Sequence, residues 1–203
     1  APHHHEAAYP DRRVVRLRPA FIFQRRSAVQ QRRLFMGPLV PKGIARPGRV
    51  PVVPDPGGLH LQTLHTEDAA EGYARAVLQP VSGAFNLAAE PVLDMPAIAA
   101  CLNARVVRVP ASVARLGLSA AWHAHAVPAS PQLFDLVQRI PMLDTSRARE
   151  VLGWTPRHDA TTAIGAFLTG LSSGEGGPTP PLDTATSGRH RGHEFATGVG
   201  ERP

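Results

Sequence analysis

A nearly continuous apolar stretch, rich in β-branched and aromatic residues, runs from Val14 to Phe23. This pattern is typical of a strand that is covered on both faces, as in a parallel sheet. Pro19 has no amide hydrogen to give to a neighbouring strand, so we expect the paired part to end near Arg18 and the chain then to leave the sheet. Because ligands of open α/β sheets bind outside the carboxyl ends of the strands, Pro19 to Gln24 is where we expect a bound molecule.

Strand and helix patterns alternate over the first half of the chain, and helix patterns dominate the second half. Short strands are expected at Val52-Val53, Leu59 to Leu64, Gly83 to Ala88 and Val106 to Val109. Helices are expected over Ser27 to Phe35, Thr66 to Leu78, Asp94 to Leu102, Ser112 to Ala124, Ser130 to Arg139, Ser146 to Leu152 and Asp159 to Leu171. The expected capping residues are Ser27, Thr66-Glu67-Asp68, Asp94, Ser112, Ser130 and, for the helix that starts at Ser146, Thr145 or Asp144. This order predicts an α/β fold that grades into a smaller α-rich lobe.

The two ends of the chain differ in composition from the middle. Residues 1–13 are polar and irregular, and His3-His4-His5 are interpreted as a frayed terminus rather than a metal site. Residues 172–203 are rich in Ser, Gly, Pro, Thr and charge, with almost nothing apolar to bury, so we expect a disordered tail. The folded part is therefore expected to span residues 14–171.

The charge balance is strongly basic, with a formal net charge of +6. Lys42 is the one lysine among 22 basic residues, and the arginines are scattered apart from a few adjacent pairs. This bias, together with abundant Ala, Pro, Gly and Val, is typical of a GC-rich coding sequence. A nucleic-acid partner is therefore not expected, although basic proteins often have one.

Cysteine usage and hydropathy narrow the class of protein further. Cys101 is the one cysteine, so an intrachain disulfide and a cysteine-based metal site are excluded. Its apolar helical context favours a buried, inert thiol. No apolar run reaches the roughly 20 residues that a membrane helix needs, and no signal peptide is visible. The default expectation is a cytoplasmic location without a membrane partner.

The stretch from Leu143 to Pro156, Leu-Asp-Thr-Ser-Arg-Ala-Arg-Glu-Val-Leu-Gly-Trp-Thr-Pro, has a clear packing logic. Ala148, Val151 and Leu152 are expected to share the buried face of a helix. Gly153 permits a sharp exit in the left-handed conformation, so Trp154 can fold back over that face.

Together with two other stretches, this one resembles the extended short-chain dehydrogenase/reductase family, the NAD-dependent epimerase/dehydratases. Val14 to Gln24 looks like the family's late sheet strand, and Leu64 to Glu71 looks like its strand-to-helix turn, in which the acid matching Asp68 caps a helix. Gly83 to Ala88 is similar to the intervening strand that contains an asparagine, here Asn86. The order and spacing agree over roughly residues 14–171.

The resemblance implies an α/β fold made of the C-terminal portion of the family: an incomplete Rossmann-like parallel sheet of late strands with a smaller α-rich substrate lobe. It implies NAD or NADP as cofactor, lined by Pro19, Ala20, Phe21 and Ile22. It also implies a small-molecule substrate, nucleotide-linked or not. The candidate binding residues are Gln24, Arg25 and Arg139, together with the region from Arg139 to Arg149, because guanidinium groups suit phosphate.

Phe21 departs from the family pattern, which often has a polar residue at this position, commonly Asn. If the loop faces a ligand, Phe21 favours an apolar neighbour over a sugar hydroxyl, which argues against nucleotide-sugar epimerisation. The alternative is that Phe21 is simply part of the core.

The catalytic half of the family's machinery is absent from the sequence. No Gly-x-Gly-x-x-Gly turn follows a strand, and no Tyr-x-x-x-Lys pair occurs. Tyr9 and Arg13 have the family's Tyr–Lys spacing, but Pro10 follows Tyr9 directly and no helix pattern precedes it. We therefore assign no catalytic residue, and we expect this chain alone to have no catalysis and little NAD affinity.

Other reactive motifs are also missing, and no metal site is predicted. The sequence has no nucleophile elbow, Walker loop or His-Glu-x-x-His. His190, His193 and Glu194 are interpreted as a solvated tail. Two main hypotheses remain. The chain is the C-terminal part of an epimerase/dehydratase-like oxidoreductase, or it is a non-catalytic binding or scaffold module, paired with another chain or a degenerate remnant, whose exposed sheet edge would favour self-association. A third hypothesis, ranked behind these two, is nucleic-acid binding through the arginines.

Overall fold

A computed structural model of the chain describes residues 12–32, 35 and 43–179. The strands are β1 (Val15–Pro19), β2 (Phe21–Phe23), β3 (Val52–Asp55), β4 (Leu61–His65), β5 (Gly83–Leu87), β6 (Ala89–Leu93) and β7 (Arg105–Arg108). The helices are α1 (Ala28–Gln31), α2 (Thr66–Leu78), α3 (Met95–Cys101), α4 (Ala111–His123), α5 (Pro131–Val137), α6 (Ser146–Leu152) and α7 (Ala160–Ser173), with a 3-10 turn at Arg25–Ser27. Of the expected tail at residues 172–203, the first two residues belong to α7, and residues 180–203 lie outside the described residues. Of the expected irregular residues 1–13, residues 1–11 also lie outside them.

The first apolar stretch forms two strands that have different partners. β1 runs parallel to β5, with Leu17 opposite Phe85, so the expected parallel neighbour is confirmed. The paired part of β1 ends at Pro19, one residue later than expected, and the chain then leaves the β1–β5 sheet as expected. The amide of Ala20 donates to the carbonyl oxygen of Leu87 at 2.8 Å, and the chain continues directly into β2, which runs parallel to β4.

The remaining pairings complete a mixed arrangement of strands. β3 and β7 form a parallel pair, and β6 lies antiparallel to β4. β6 was not expected because Pro91 interrupts its pattern. The pairing tolerates this proline because the β4–β6 register is irregular between the Thr63–Ala89 and Leu61–Leu93 pairs. The α/β class with short parallel sheets is confirmed, and helices α4 to α7 dominate the second half as expected.

The central core packs β1, β4 and β5 against α2 and α6. Trp154, Phe85, Leu64 and Leu87 are completely buried there. Gly153 ends α6 in the left-handed conformation with φ of 59°, and Trp154 folds back into the core, both as expected. Val151 is instead 45% exposed, because Ala148 and Leu152 alone make the buried face of this short helix.

Several helices have side-chain caps, of which Asp94 and Ser130 were expected. Asp94, Ser130 and Asp159 each accept a hydrogen bond from the amide three residues later. The expected serine caps at Ser27 and Ser112 are wrong. Ser27 occupies the N-cap position of α1 without a capping hydrogen bond from its side chain, and α4 begins after Pro110, also without a side-chain cap.

Asp68 has a different role from the cap that the resemblance implied. His65 is the N-cap of α2, and its Nδ1 accepts the Glu67 amide at 3.4 Å. Asp68 is buried and accepts the amides of Arg157 and His158 at 2.9 and 3.1 Å. Its carboxylate therefore joins the start of α2 to the segment between α6 and α7.

Among the described residues, no helix is both long enough and apolar enough to cross a membrane.

Candidate functional site

A cavity of about 260 Å³ lies at the carboxyl end of β1, where the chain passes into β2. Its other wall is the segment between α5 and α6, which lies over the beginning of β4. The lining residues are Pro19, Ala20, Phe21, His60, Gln62, Ile140, Pro141, Met142 and Leu143. The position agrees with the expectation that a ligand binds outside the carboxyl end of the first strand.

The side-chain amide of Gln62 attaches the outer wall of the cavity to β4. Its Nε2 donates to the carbonyl oxygen of Leu143 at 3.0 Å, and its Oε1 accepts the Leu143 amide at 2.6 Å. Asn86 adds a second attachment, because its Nδ2 donates to the carbonyl oxygen of Asp144 at 2.8 Å. Two strands from different sheets, β4 and β5, thus position a segment that has no regular structure of its own.

The start of α6 is stabilised by the same segment. Asp144 Oδ1 accepts both the hydroxyl and the amide of Ser146, at 2.6 and 2.9 Å. These hydrogen bonds hold the pKa of Asp144 below its ordinary value, so the carboxylate is charged at neutral pH. Thr145, the other expected cap, occupies the N-cap position without a side-chain hydrogen bond.

The four residues expected to line a cofactor divide between two cavities. Pro19, Ala20 and Phe21 line the first cavity. Ile22 lines a second cavity of about 290 Å³ and also packs against the central core. Phe21 is 41% exposed and lines both cavities, so the alternative that it is simply part of the core is wrong.

The second cavity is almost entirely apolar. Its lining residues are Phe21, Ile22, Phe23, Gln31, Phe35, Leu61, Leu133, Val137 and Phe167. Gln31 supplies the polar group of this lining, and its Nε2 donates to the carbonyl oxygen of Ile22 at 3.1 Å. The lining therefore suits an apolar group, and Phe21 separates it from the first cavity.

The three residues expected to bind substrate line neither cavity. Arg25 forms an ion pair with Glu175, which lowers the pKa of that carboxyl, and Gln24 accepts the Ser27 hydroxyl through its carbonyl oxygen. Arg139 is exposed and immediately precedes Ile140, which does line the first cavity.

The described lining of the first cavity is mainly apolar and carries few polar side chains. His60 is the one titratable side chain among its described lining residues, and its Nδ1 lies 3.1 Å from the carbonyl oxygen of Gly58. Tyr73 lies on α2, outside this lining, and Tyr9 lies outside the described residues. Among the described residues, this arrangement supplies shape and apolar surface without a catalytic pair.

Sequence reasoning missed His60 and Gln62 as lining residues, and it expected residues 140–143 only as part of a region near an anionic substrate, not as an apolar wall. Gln62 lies within an alternating strand pattern, which indicates that its side chain points to one face but not what lies there. The segment 140–143 directly precedes the Leu-Asp-Thr-Ser stretch that resembles the family signature. Its apolar Ile, Met and Leu side chains in a region without regular structure were the available signal.

Comparisons with known proteins give structural matches only. No family model and no curated protein sequence matches the chain. UDP-glucose 4-epimerase from Thermotoga maritima, solved with UDP-glucose, is 14% identical over 84% of this chain, with a TM-score of 0.51. Pal from Bacillus thuringiensis is 12% identical over 85% of this chain, also with a TM-score of 0.51. The chain spans 50% of the length of each of these structures.

At this level of identity the matches concern the fold rather than the chemistry. They confirm the architecture that the sequence resemblance implied. The chain has, over most of its length, the Rossmann-like fold of the epimerase/dehydratase structures, and its extent is consistent with the C-terminal portion of that fold.

Proposed function

We propose that this chain is the C-terminal portion of an NAD(P)-dependent epimerase/dehydratase-like oxidoreductase and supplies one wall of its ligand pocket. The observation behind the proposal is the cavity at the carboxyl end of β1. It is framed by Pro19, Ala20 and Phe21, three of the residues that the resemblance assigns to the cofactor. The shared fold supports the same reading.

The residues at the end of β1 fit the nicotinamide side of such a cofactor. Pro19, Ala20 and Phe21 offer an apolar wall to a planar ring, while the cradle for a pyrophosphate is not among the described residues. When bound, the nicotinamide would accept or give the hydride. This chain's own residues would orient the ring and exclude water, while Arg139, beside the first cavity, would approach an anionic substrate group.

The alternative function is a non-catalytic binding or scaffold module. Within the described residues, β1 has a strand partner on one side only. The neighbouring helix α2 exposes Tyr73, Val77 and Leu78, by 48, 77 and 83%. Size-exclusion chromatography distinguishes the two proposed functions, because a monomer at high concentration would argue against a scaffold module that associates through this edge.

Ligand mapping by NMR tests the proposed pocket. With UDP-glucose and NADH added separately in excess to the purified chain, we expect weak binding of at least one of them. Amide and methyl shifts should change around Ala20, Phe21, Met142 and Leu143. NAD-dependent turnover by the chain alone is expected to be absent, because the described cavity lining holds no catalytic pair.

A matched pair of variants shows whether ligand binding depends on the cavity wall that Gln62 holds in place. Gln62→Leu removes both hydrogen bonds that hold Leu143, and should weaken binding by about 2- to 10-fold, the equivalent of one ordinary hydrogen bond. Gln79→Leu removes a similar bond to the carbonyl oxygen of Leu152, away from the cavity, and should leave binding unchanged. Shift changes confined to other regions, or equal effects of both variants, would contradict the proposal.

A further inference from the structure

Two histidines and a glutamate come together at the end of β4 opposite to the cavity. His65 ends β4, Glu67 lies in the first turn of α2, and His158 lies between α6 and α7. The potential ligand atoms of these three side chains all lie within 4.8 Å of one another. His60 and Gln62, which line the first cavity, lie before or at the beginning of the same strand, so this cluster is separate from the candidate site.

Each imidazole is oriented through its Nδ1 atom. His65 Nδ1 accepts the Glu67 amide, and His158 Nδ1 lies 3.0 Å from Asp68 Oδ2. Because the Asp68 carboxylate accepts hydrogen bonds, His158 carries the proton on Nδ1. His158 therefore keeps Nε2 as an available ligand atom, and the buried Asp68 provides the carboxylate partner that metal-binding histidines commonly have. In His65 the atom with an available lone pair is Nδ1, so a metal ion on this residue replaces the long 3.4 Å hydrogen bond from the Glu67 amide.

The distances need only a small adjustment to accommodate an ion. Zinc binds histidine nitrogen and carboxylate oxygen at about 2.0–2.2 Å in tetrahedral geometry, so two of its ligand atoms lie about 3.4 Å apart. His158 Nε2 and Glu67 Oε2 are already 3.9 Å apart. The Glu67 side chain is 76% exposed, so a change of its rotamer can bring its carboxylate closer without disturbing the core.

The local charge also favours a cation. Glu67 and Asp68 contribute two carboxylates beside the histidines. The nearest described arginine in sequence, Arg157, forms an ion pair at 2.8 Å with Glu71, which also pairs with Arg75 at 2.7 Å. The imidazole rings of His65 and His158 lie beside each other, with centroids 4.2 Å apart and an angle of 35° between their planes.

We propose that His65, Glu67 and His158 form a divalent-metal site, with Zn²⁺ as the fitting ion. Two histidines and one glutamate are a donor set that zinc accepts, with a fourth position open to water. The ion joins the start of α2 to the segment before α7, the same two elements that Asp68 already connects. Metal binding therefore stabilises the folded chain.

Isothermal titration with ZnCl₂ tests the site in the full chain. Because terminal histidines compete for zinc, the background protein has His3, His4, His5, His190 and His193 each replaced by glutamine. One zinc ion per chain is expected, and its addition should raise the Tm relative to protein treated with EDTA. His65→Gln and His158→Gln should each weaken binding by at least about 100-fold, because even orienting partners of ligands contribute about 10- to 100-fold.

The control is His123→Gln, which changes an exposed histidine on α4 outside the cluster and should leave the affinity unchanged. Near-ultraviolet circular dichroism of the buried Trp154, whose Nε1 donates to the carbonyl oxygen of Asp68, verifies that each variant folds. If His158→Gln is unfolded, Glu67→Gln replaces it in the comparison, because that side chain is mostly exposed. The absence of a stoichiometric zinc site in the background protein would overturn the proposal, as would unchanged affinity in the folded cluster variants.

Discussion

Replacing Trp154 with alanine is expected to lower the free energy of unfolding by about 3–5 kcal/mol. The indole is completely buried in the central core, where it contacts the α2 helix at a position that has no side chain. A Cβ atom added to Gly72 would lie 3.3 Å from Trp154 Nε1. The variant also loses the hydrogen bond from Nε1 to the carbonyl oxygen of Asp68, 2.9 Å long. Urea unfolding followed by far-ultraviolet circular dichroism measures the change.

Two controls separate the sources of this loss. Trp154→Phe keeps an aromatic ring but removes the hydrogen bond to Asp68. Its free energy of unfolding should therefore lie between those of Trp154→Ala and the unmodified chain. Val151→Ala, three residues earlier and 45% exposed, should change the free energy of unfolding by no more than about 0.5 kcal/mol. Similar losses for Val151→Ala and Trp154→Ala would show that the core is not centred on Trp154.

Replacing Gly170 with alanine is expected to destabilise the chain by about 1–3 kcal/mol or more. The new Cβ atom would lie 2.1 Å from the carbonyl oxygen of Arg25 and 2.8 Å from both its carbonyl carbon and its Cα. All three are backbone atoms, which cannot rotate away as a side chain could. Helix α7 would have to move away from the 3-10 turn at Arg25–Ser27, and this movement would disturb the packing of Phe23 on Phe167. Thermal and urea unfolding measure the effect.

Gly165 provides the matched control on the same helix. A Cβ atom added there meets nothing within 4 Å, so Gly165→Ala should stabilise the chain by up to about 1 kcal/mol through helix propensity alone. The two substitutions are chemically identical and should have opposite signs. Destabilisation of the same size by both would contradict the close approach of α7 to the Arg25 backbone.

Local patterns in the sequence were sufficient to predict most of the elements. Asp94, Ser130 and Asp159 cap helices through contacts with amides three residues away, and Gly153 ends α6 in the left-handed conformation. These signals act within a single turn of helix, so they can be read without knowledge of the neighbours. The parallel partner of β1 followed from its continuous apolar character.

Features that depend on distant contacts were not predictable in the same way. The change of partner at Ala20 depends on the carbonyl oxygen of Leu87, and the buried Asp68 is satisfied by amides about ninety residues later. Likewise, Gln62 positions Leu143 across 81 residues, so the outer wall of the cavity could not be assigned from either segment alone. The position of His158 beside His65 and Glu67 also depends on contacts between segments that are distant in sequence, so it could not be predicted from any one of them. Residues 19–21, in contrast, could be placed beside a cavity because the carboxyl end of a parallel strand is a general location for ligands.

The central proposal is that this chain carries one wall of a nucleotide-cofactor pocket whose reactive groups lie on another part of the polypeptide. Sequencing the transcript upstream of the codon for Ala1 tests this most directly. We predict an in-frame glycine-rich turn between a strand and a helix, followed by a helix with Tyr-x-x-x-Lys before the strand at Val15. An upstream reading frame that encodes neither motif would contradict the proposal.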